Sequence, residues 1–117
     1  MEKEQALKFA EAWIAAWNAH DLEQILSHYD DEFEMSSPAI TRLTGEPSGR
    51  LKGKRLVGEY WAGALEKFPD LKFTLLHTLR GADSVVLVYQ GVLGLSAESF
   101  HFGADGKVIR AYAHYDL

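Results

Sequence analysis

Residues Ala12–Pro38 read AWIAAWNAHDLEQILSHYDDEFEMSSP. The stretch parses as a helix, a capped break, a second short helix and a first strand stopped by a proline. From about residue 3 to residue 19, Leu7, Ala10, Trp13, Ile14 and Trp17 recur at the spacing of a half-buried helix. Asp21, with Gln24 three residues on, has capping-box spacing and starts the second helix. That helix carries Leu22, Ile25, Leu26 and Tyr29 on one side, and Asp30-Asp31 breaks it. A strand from Phe33 to Ser37 then turns Phe33, Met35 and Ser37 inward against Glu34 and Ser36, and Pro38 ends it. Trp13, Trp17, Tyr29, Phe33 and Met35 all fall on the inward side. So many large apolar groups beside so few polar ones predict the closed end of a pocket.

Downstream, Ala39 to Gly53 contains Gly45, Pro47, Ser48 and Gly49 without a sustained period, and reads as a loop. Loops of this length in small domains serve as lids or move freely. Arg42, Arg50, Lys52, Lys54 and Arg55 make this a basic segment. It is either a solvated surface or a funnel for an anionic ligand. A third helix places Leu56, Val57, Tyr60, Trp61, Ala64, Leu65 and Phe68 inward, and Pro69-Asp70 stops it. Next, Leu71, Phe73, Leu75, His77 and Leu79 alternate with Lys72, Thr74 and Thr78. After Gly81-Ala82-Asp83, SVVLVYQG (84–91) is apolar on both sides and reads as a central strand. Gly91 and Gly94 mark a turn region, followed by ESFHF (98–102), a turn at Asp105-Gly106 and KVIRAYAHYDL (107–117). Helices first and an antiparallel meander last imply α+β, the helices covering one face of a curved sheet in one domain over residues 1–117.

A chain of 117 residues supports one hydrophobic core. Its formal net charge of −5 argues against a nucleic-acid backbone as the main partner. No apolar run is long enough to span a membrane, and MEKEQALKF lacks the core of a signal peptide, so a cytoplasmic location is expected. The absence of cysteine excludes disulfides and thiolate chemistry. There is no glycine-rich phosphate loop and no nucleophile elbow. The five histidines show no metal-ligand spacing, apart from His101 and His114 on one outer face. No cofactor or metal is expected.

The last hairpin carries the chemistry. A two-residue turn at Asp105-Gly106 pairs Ala104 with Lys107, Phe102 with Ile109, Phe100 with Ala111 and Glu98 with Ala113. That face is apolar except for Glu98, while Ser99, His101, Arg110, Tyr112, His114 and Asp116 occupy the other. A carboxyl group on the helix-covered face is costly to ionise, so its pKa rises unless a cation or several donors compensate. Small Ala111 and Ala113 beside it leave space for a ligand, and space with one perturbed acid suits a small-molecule acid/base site. The competing reading puts Glu98 at the sheet rim on a backbone group or an arginine. His77, alone among leucines and Phe73, is a base candidate or a hydrogen-bonded core residue. Tyr29 and Tyr60 either present hydroxyls to a ligand or simply pack, and Trp13 has an indole N–H to donate. Ser37 has only hydrogen bonds to offer, since nothing near it in sequence activates it as a nucleophile.

Three segments, AWNAHDLEQILSHYDDEFEMSSP (16–38), GEYWAGALEKFPD (58–70) and ESFHFGADGKVIRAYAHYD (98–116), resemble the nuclear-transport-factor-2-like superfamily, in particular its SnoaL-like branch. The resemblance spans nearly the whole chain. It implies a cone-shaped, cystatin-like fold: three helices on a strongly bent, mostly antiparallel mixed sheet, with a pocket between them. It identifies fold better than activity, because this fold hosts isomerases, cyclases, dehydratases, hydrolases and non-enzymatic binders. In ketosteroid isomerase, a tyrosine and a protonated aspartic acid form the oxyanion hole and a second aspartate moves the proton. Motif alignment puts Trp13 at the tyrosine position, Glu98 at the protonated acid and Ser37 at the base, with Tyr29 at a helper position. Serine at the base position departs from the pattern and argues against the same isomerisation. In the branch's polyketide cyclases an aspartate is the acid/base, and no residue here takes that place.

The resemblance also implies a homodimer through the outer sheet face, where Tyr112, His101 and His114 lie. The expectation is a pocket for a hydrophobic carbonyl or ring compound, walled by Trp13, Trp17, Tyr29, Met35, Ser37, Tyr60, Phe73, Phe100, Ala111 and Ala113. Glu98 would be the acid and His77 the base. The alternative is a non-catalytic ligand-binding or protein-interaction module.

Overall fold

Helix α1 (Lys3–Asn18) forms where the apolar stripe predicts it and buries Ala6, Ala10, Trp13, Ala16 and Trp17. The structure, a computed structural model, describes residues 1–117. In α2 (Leu22–Leu26), the Asp21 carboxylate caps the first turn by accepting from the Gln24 backbone N–H at 3.1 Å. This helix ends earlier than its apolar spacing predicts. Tyr29 opens strand β1 (Tyr29–Ser36), and Asp30-Asp31 lies inside that strand, where the pairing with its neighbour slips register.

Residues 39–53, expected as a loop, contain helix α3 (Pro38–Thr44) and strand β2 (Arg50–Lys52). The signals of a helix were present but compressed. Ser37 is its N-cap, accepting from Ala39 N–H at 3.1 Å, and Pro38 takes the first turn. Gly45 closes it at φ +80°, a left-handed conformation that glycine adopts without a Cβ penalty. Helix α4 (Lys54–Lys67) follows, so there are four helices, two of them short. None is long and apolar enough to cross a membrane.

Strands β3 (Thr74–Arg80), β4 (Ser84–Gly91), β5 (Gly94–Phe102) and β6 (Val108–Tyr115) complete a six-stranded sheet of order β2-β1-β6-β5-β4-β3. All neighbours are antiparallel except β1 and β6, which run parallel, so the sheet is mixed. SVVLVYQG is thus one strand in from the edge, and β3 is the edge itself.

Two bulges adjust the expected registers. In the last hairpin, Phe100 pairs with Ala111 and Glu98 with Ala113 as the parity argument predicts, but Phe102 pairs with Val108 rather than Ile109. The turn is wider than two residues, with Gly103 N–H bonded to Lys107 O at 2.8 Å. In β3, the register shifts between Leu75 and His77. Leu75 faces Tyr89 on the inner side, yet His77 pairs with Val88 and Leu79 with Val86 on the outer side. A single extra residue reverses every side chain after it. His77 is therefore exposed and points away from the helices, and Leu79 is 59% exposed.

Candidate functional site

On the inner face of the sheet, rows of side chains run from a packed end to an open one. Phe100, Ala111 and Val85 are fully buried. One step along β5, Glu98 lies between Leu87 and Ala113. A step further, Ser96 lies between Tyr89 and Tyr115. Over this second half the helices leave a cavity of about 390 Å³. Trp13 and Trp17 from α1 and Tyr60 and Trp61 from α4 wall it opposite Glu98. Its mouth passes Arg42 and Leu43 of α3, Lys67 of α4 and the tip of the β4–β5 hairpin at Val92-Leu93.

Glu98 is 3% exposed. No cation pairs with it, and its one hydrogen bond comes from the Tyr89 hydroxyl to Oε1 at 3.2 Å. Burial pushes its carboxyl pKa up to about 8, the Tyr89 bond pulling back only part of the way. At neutral pH this group keeps its proton and is a hydrogen-bond donor. The phenols around it also stay protonated. Burial first, and the Glu98 carboxyl second, raise Tyr60 to about 12 and push Tyr89 and Tyr115 upward too. The Ser37 hydroxyl eases the shift at Tyr60 and Tyr115.

The two α1 indoles differ. Trp13 Nε1 donates to the Tyr29 hydroxyl at 2.9 Å, so the donor expected to meet a ligand is already engaged. Trp17 is 5% exposed, lines the cavity, and its Nε1 is the one buried side-chain polar atom without a partner. The far wall is held by a two-way clasp. Asn18 Nδ2 donates to Phe73 O at 2.9 Å, and Phe73 N–H donates to Asn18 Oδ1 at 2.7 Å.

Among the wall residues named from sequence, Trp13, Trp17, Met35, Ser37, Tyr60 and Phe73 line the cavity with Glu98. Four others do not. Tyr29 is sealed behind Trp13, and Phe100 lies under Phe9 and Trp13 at ring separations of 4.9 and 5.2 Å. Ala111 leaves no room, because Met35 and Phe100 pair on either side of it and fill the space. Ala113 borders a separate, polar hollow beside Arg50 and His114. His77, on the outer face, has no route to Glu98.

Tyr89, Ser96 and Tyr115 were missed, although each lies two residues from a named inward position and the period of two places it in the wall. Most of the basic segment is spent elsewhere: Arg50 pairs with Glu34, Lys54 with Asp31 and Arg55 with Glu59. Arg42 alone of that group reaches the mouth, joined there by Lys67.

The pattern of the SnoaL-like domain matches residues 10–116. The chain belongs to the SnoaL-like family. A SnoaL-like protein of unknown function from Burkholderia thailandensis E264 is 55% identical, with 99% of this chain and 98% of that one covered at a TM-score of 0.96. A candidate isomerase of the SnoaL-like family from Agrobacterium tumefaciens str. C58 is 16% identical, covering 97% and 99% at a TM-score of 0.77. A protein of unknown function with a cystatin-like fold from Methylobium petroleophilum PM1 is 16% identical, covering 100% and 79% at 0.78. The last two likenesses are of fold. No protein of curated function matches the chain significantly. Within the SnoaL-like fold, the cavity between helices and bent sheet is where this chain places its neutral acid.

Proposed function

We propose that this SnoaL-like chain is a small-molecule pocket protein that performs cofactor-independent acid chemistry on a hydrophobic carbonyl or ring compound, of the isomerase, cyclase or dehydratase type. The observation that carries the reading is Glu98: a carboxyl group in the wall of an apolar cavity, unpaired with any cation and held by a single hydrogen bond. A neutral acid in such a place donates to a carbonyl or leaving oxygen as negative charge develops there, where low dielectric magnifies the gain. Tyr60 and Tyr115 supply further neutral donors nearby. The base role expected of His77 is withdrawn, because that imidazole lies outside the cavity.

The test is turnover of a panel of aryl ketones and cyclic enones by the native protein and by Glu98→Gln. Loss of a general acid costs about a hundredfold or more. Native activity should also fall as pH rises through about 8, where Glu98 ionises. Unchanged rate, affinity and pH profile in Glu98→Gln would refute the assignment.

A second reading, binding without chemistry, draws support from Ser37. Its hydroxyl caps α3 at the position where the isomerases of this fold keep their base. Binding of panel compounds without turnover of any would favour it. The outer sheet face, where Leu79 is 59% and Leu95 49% exposed and His101 sets its ring edge-on to Tyr112, supports a homodimer. Light scattering on the native chain and on Leu79→Asp checks this. A dimer mass that halves in the variant is expected, and a native monomer refutes it.

A further inference from the structure

The wall of the cavity is unequal in charge. Its interior is aromatic and aliphatic, and its only acidic side chain is Glu98, at depth. At the mouth stand Arg42 and Lys67, both exposed and neither in an ion pair, in a chain that carries five more acidic than basic residues. Each sits in the last turn of its helix, α3 or α4, where the helix dipole favours a cation. Lys67 also leans over the Phe68 ring at 5.6 Å, keeping its stem against the apolar rim. Inside, Trp17 Nε1 is buried without an acceptor, which costs free energy until one is supplied. Trp17 is fixed by Trp61 and Phe73 at 5.3 and 5.4 Å, so it has little freedom to turn its N–H elsewhere.

We infer that the pocket takes an amphipathic anion: an apolar ring system within, an acceptor oxygen on the Trp17 indole N–H, and an anionic group at the mouth between Arg42 and Lys67. This rests on the pocket reading above and narrows it to a substrate class, cyclic compounds bearing a carboxylate or comparable acidic group. Neutral donors inside and cations at the rim leave a donor-rich, acceptor-poor site, which disfavours amines and alcohols of the same size.

Three bicyclic probes test it: chromone-2-carboxylate, whose ring carbonyl and acid group are separate, its methyl ester and 2-ethylnaphthalene. Titration at low salt should show the acid binding about fivefold or more tighter than the ester, an advantage that shrinks with added salt because the rim is exposed. In Arg42→Gln/Lys67→Gln the ratio should collapse to about one. Equal binding of acid and ester to the native protein, or a ratio that survives in the double variant, overturns the inference. The Trp17 contact is read without touching the core, from the indole N–H resonances of the three tryptophans. The Trp17 signal should move downfield with acid and ester but not with 2-ethylnaphthalene. An unmoved signal, or one moved equally by the hydrocarbon, removes the acceptor contact. If none of the probes binds, the pocket reading falls as well. If ester and hydrocarbon bind and the acid does not, the pocket reading stands and this inference alone is lost.

Discussion

At one end of β5, Phe100 is fully buried, with Phe9 and Trp13 set edge-on against it. Two residues back along the same strand, Glu98 carries a carboxyl group, and two more lead to Ser96 beside open space. The strand geometry does not change between these positions; the helix above them does. Helix α1 lays Phe9, Trp13 and Trp17 along the row and then stops at Asn18, which is clasped to Phe73. Where the helix continues, aromatic rings fill the interior. Beyond its end only the walls remain. The cavity is thus a consequence of where one helix terminates, and the acid sits at the boundary between the filled and unfilled halves.

The comparison is broken most severely by removing its filled side. Phe100→Ala should cost about 3–5 kcal/mol in urea unfolding, because the aromatic cluster around it is too rigid to collapse into the gap. A loss under about 1 kcal/mol would mean that this end is not close-packed.

Next comes the boundary itself. Glu98 is neutral in the fold up to about pH 8 but ionises in the unfolded chain from about 4.5. The unfolded state therefore releases its proton first, and stability falls as pH rises across that window, then levels off. Glu98→Gln has no such fall. Its advantage over the native chain should grow by a few kcal/mol, in order of magnitude, between about pH 4 and pH 8.5. Taking this difference cancels His28, whose pKa burial and then Lys107 lower in both proteins. A difference that stays constant with pH would place Glu98 in water.

A matched pair sharpens the contrast further. Ala111→Leu at the filled end should destabilise by about 1–3 kcal/mol through overpacking. Ala64→Leu, on the half-buried α4 wall of the open end, should change stability by less than about 1 kcal/mol, since the added carbons enter free volume, yet it should block chromone-2-carboxylate binding. Equal costs would erase the distinction between the two halves.

Much of this contrast is legible in the residues. The parity of the last hairpin places Glu98 opposite Ala113 on the covered face, because a period of two leaves no other side for it. Continuing that row by one step reaches Tyr115 and Ser96, so the phenolic wall was also within reach. What escapes pattern reading is any feature decided by one residue. The bulge at Leu75–His77 is invisible in an alternating string of leucines, yet it reverses His77. Helix α3 is too short for its period to show, and only Ser37-Pro38 and Gly45 betray it. The end of α2 at Leu26 rather than Tyr29 is likewise a contest between helix spacing and the pull of β6 on an aromatic strand.

The parallel pairing of β1 with β6 joins an early segment of the chain to nearly the last one. During synthesis, Met35 and Ser36 leave the ribosome with no neighbour on that side, and their partners Ala111 and Tyr112 emerge only after β3, β4 and β5. The helices and the β3–β5 meander have time to assemble by local contacts first. The chamber therefore closes only when this long-range pairing forms, and a chain truncated before β6 would expose its most aromatic surface to other nascent chains.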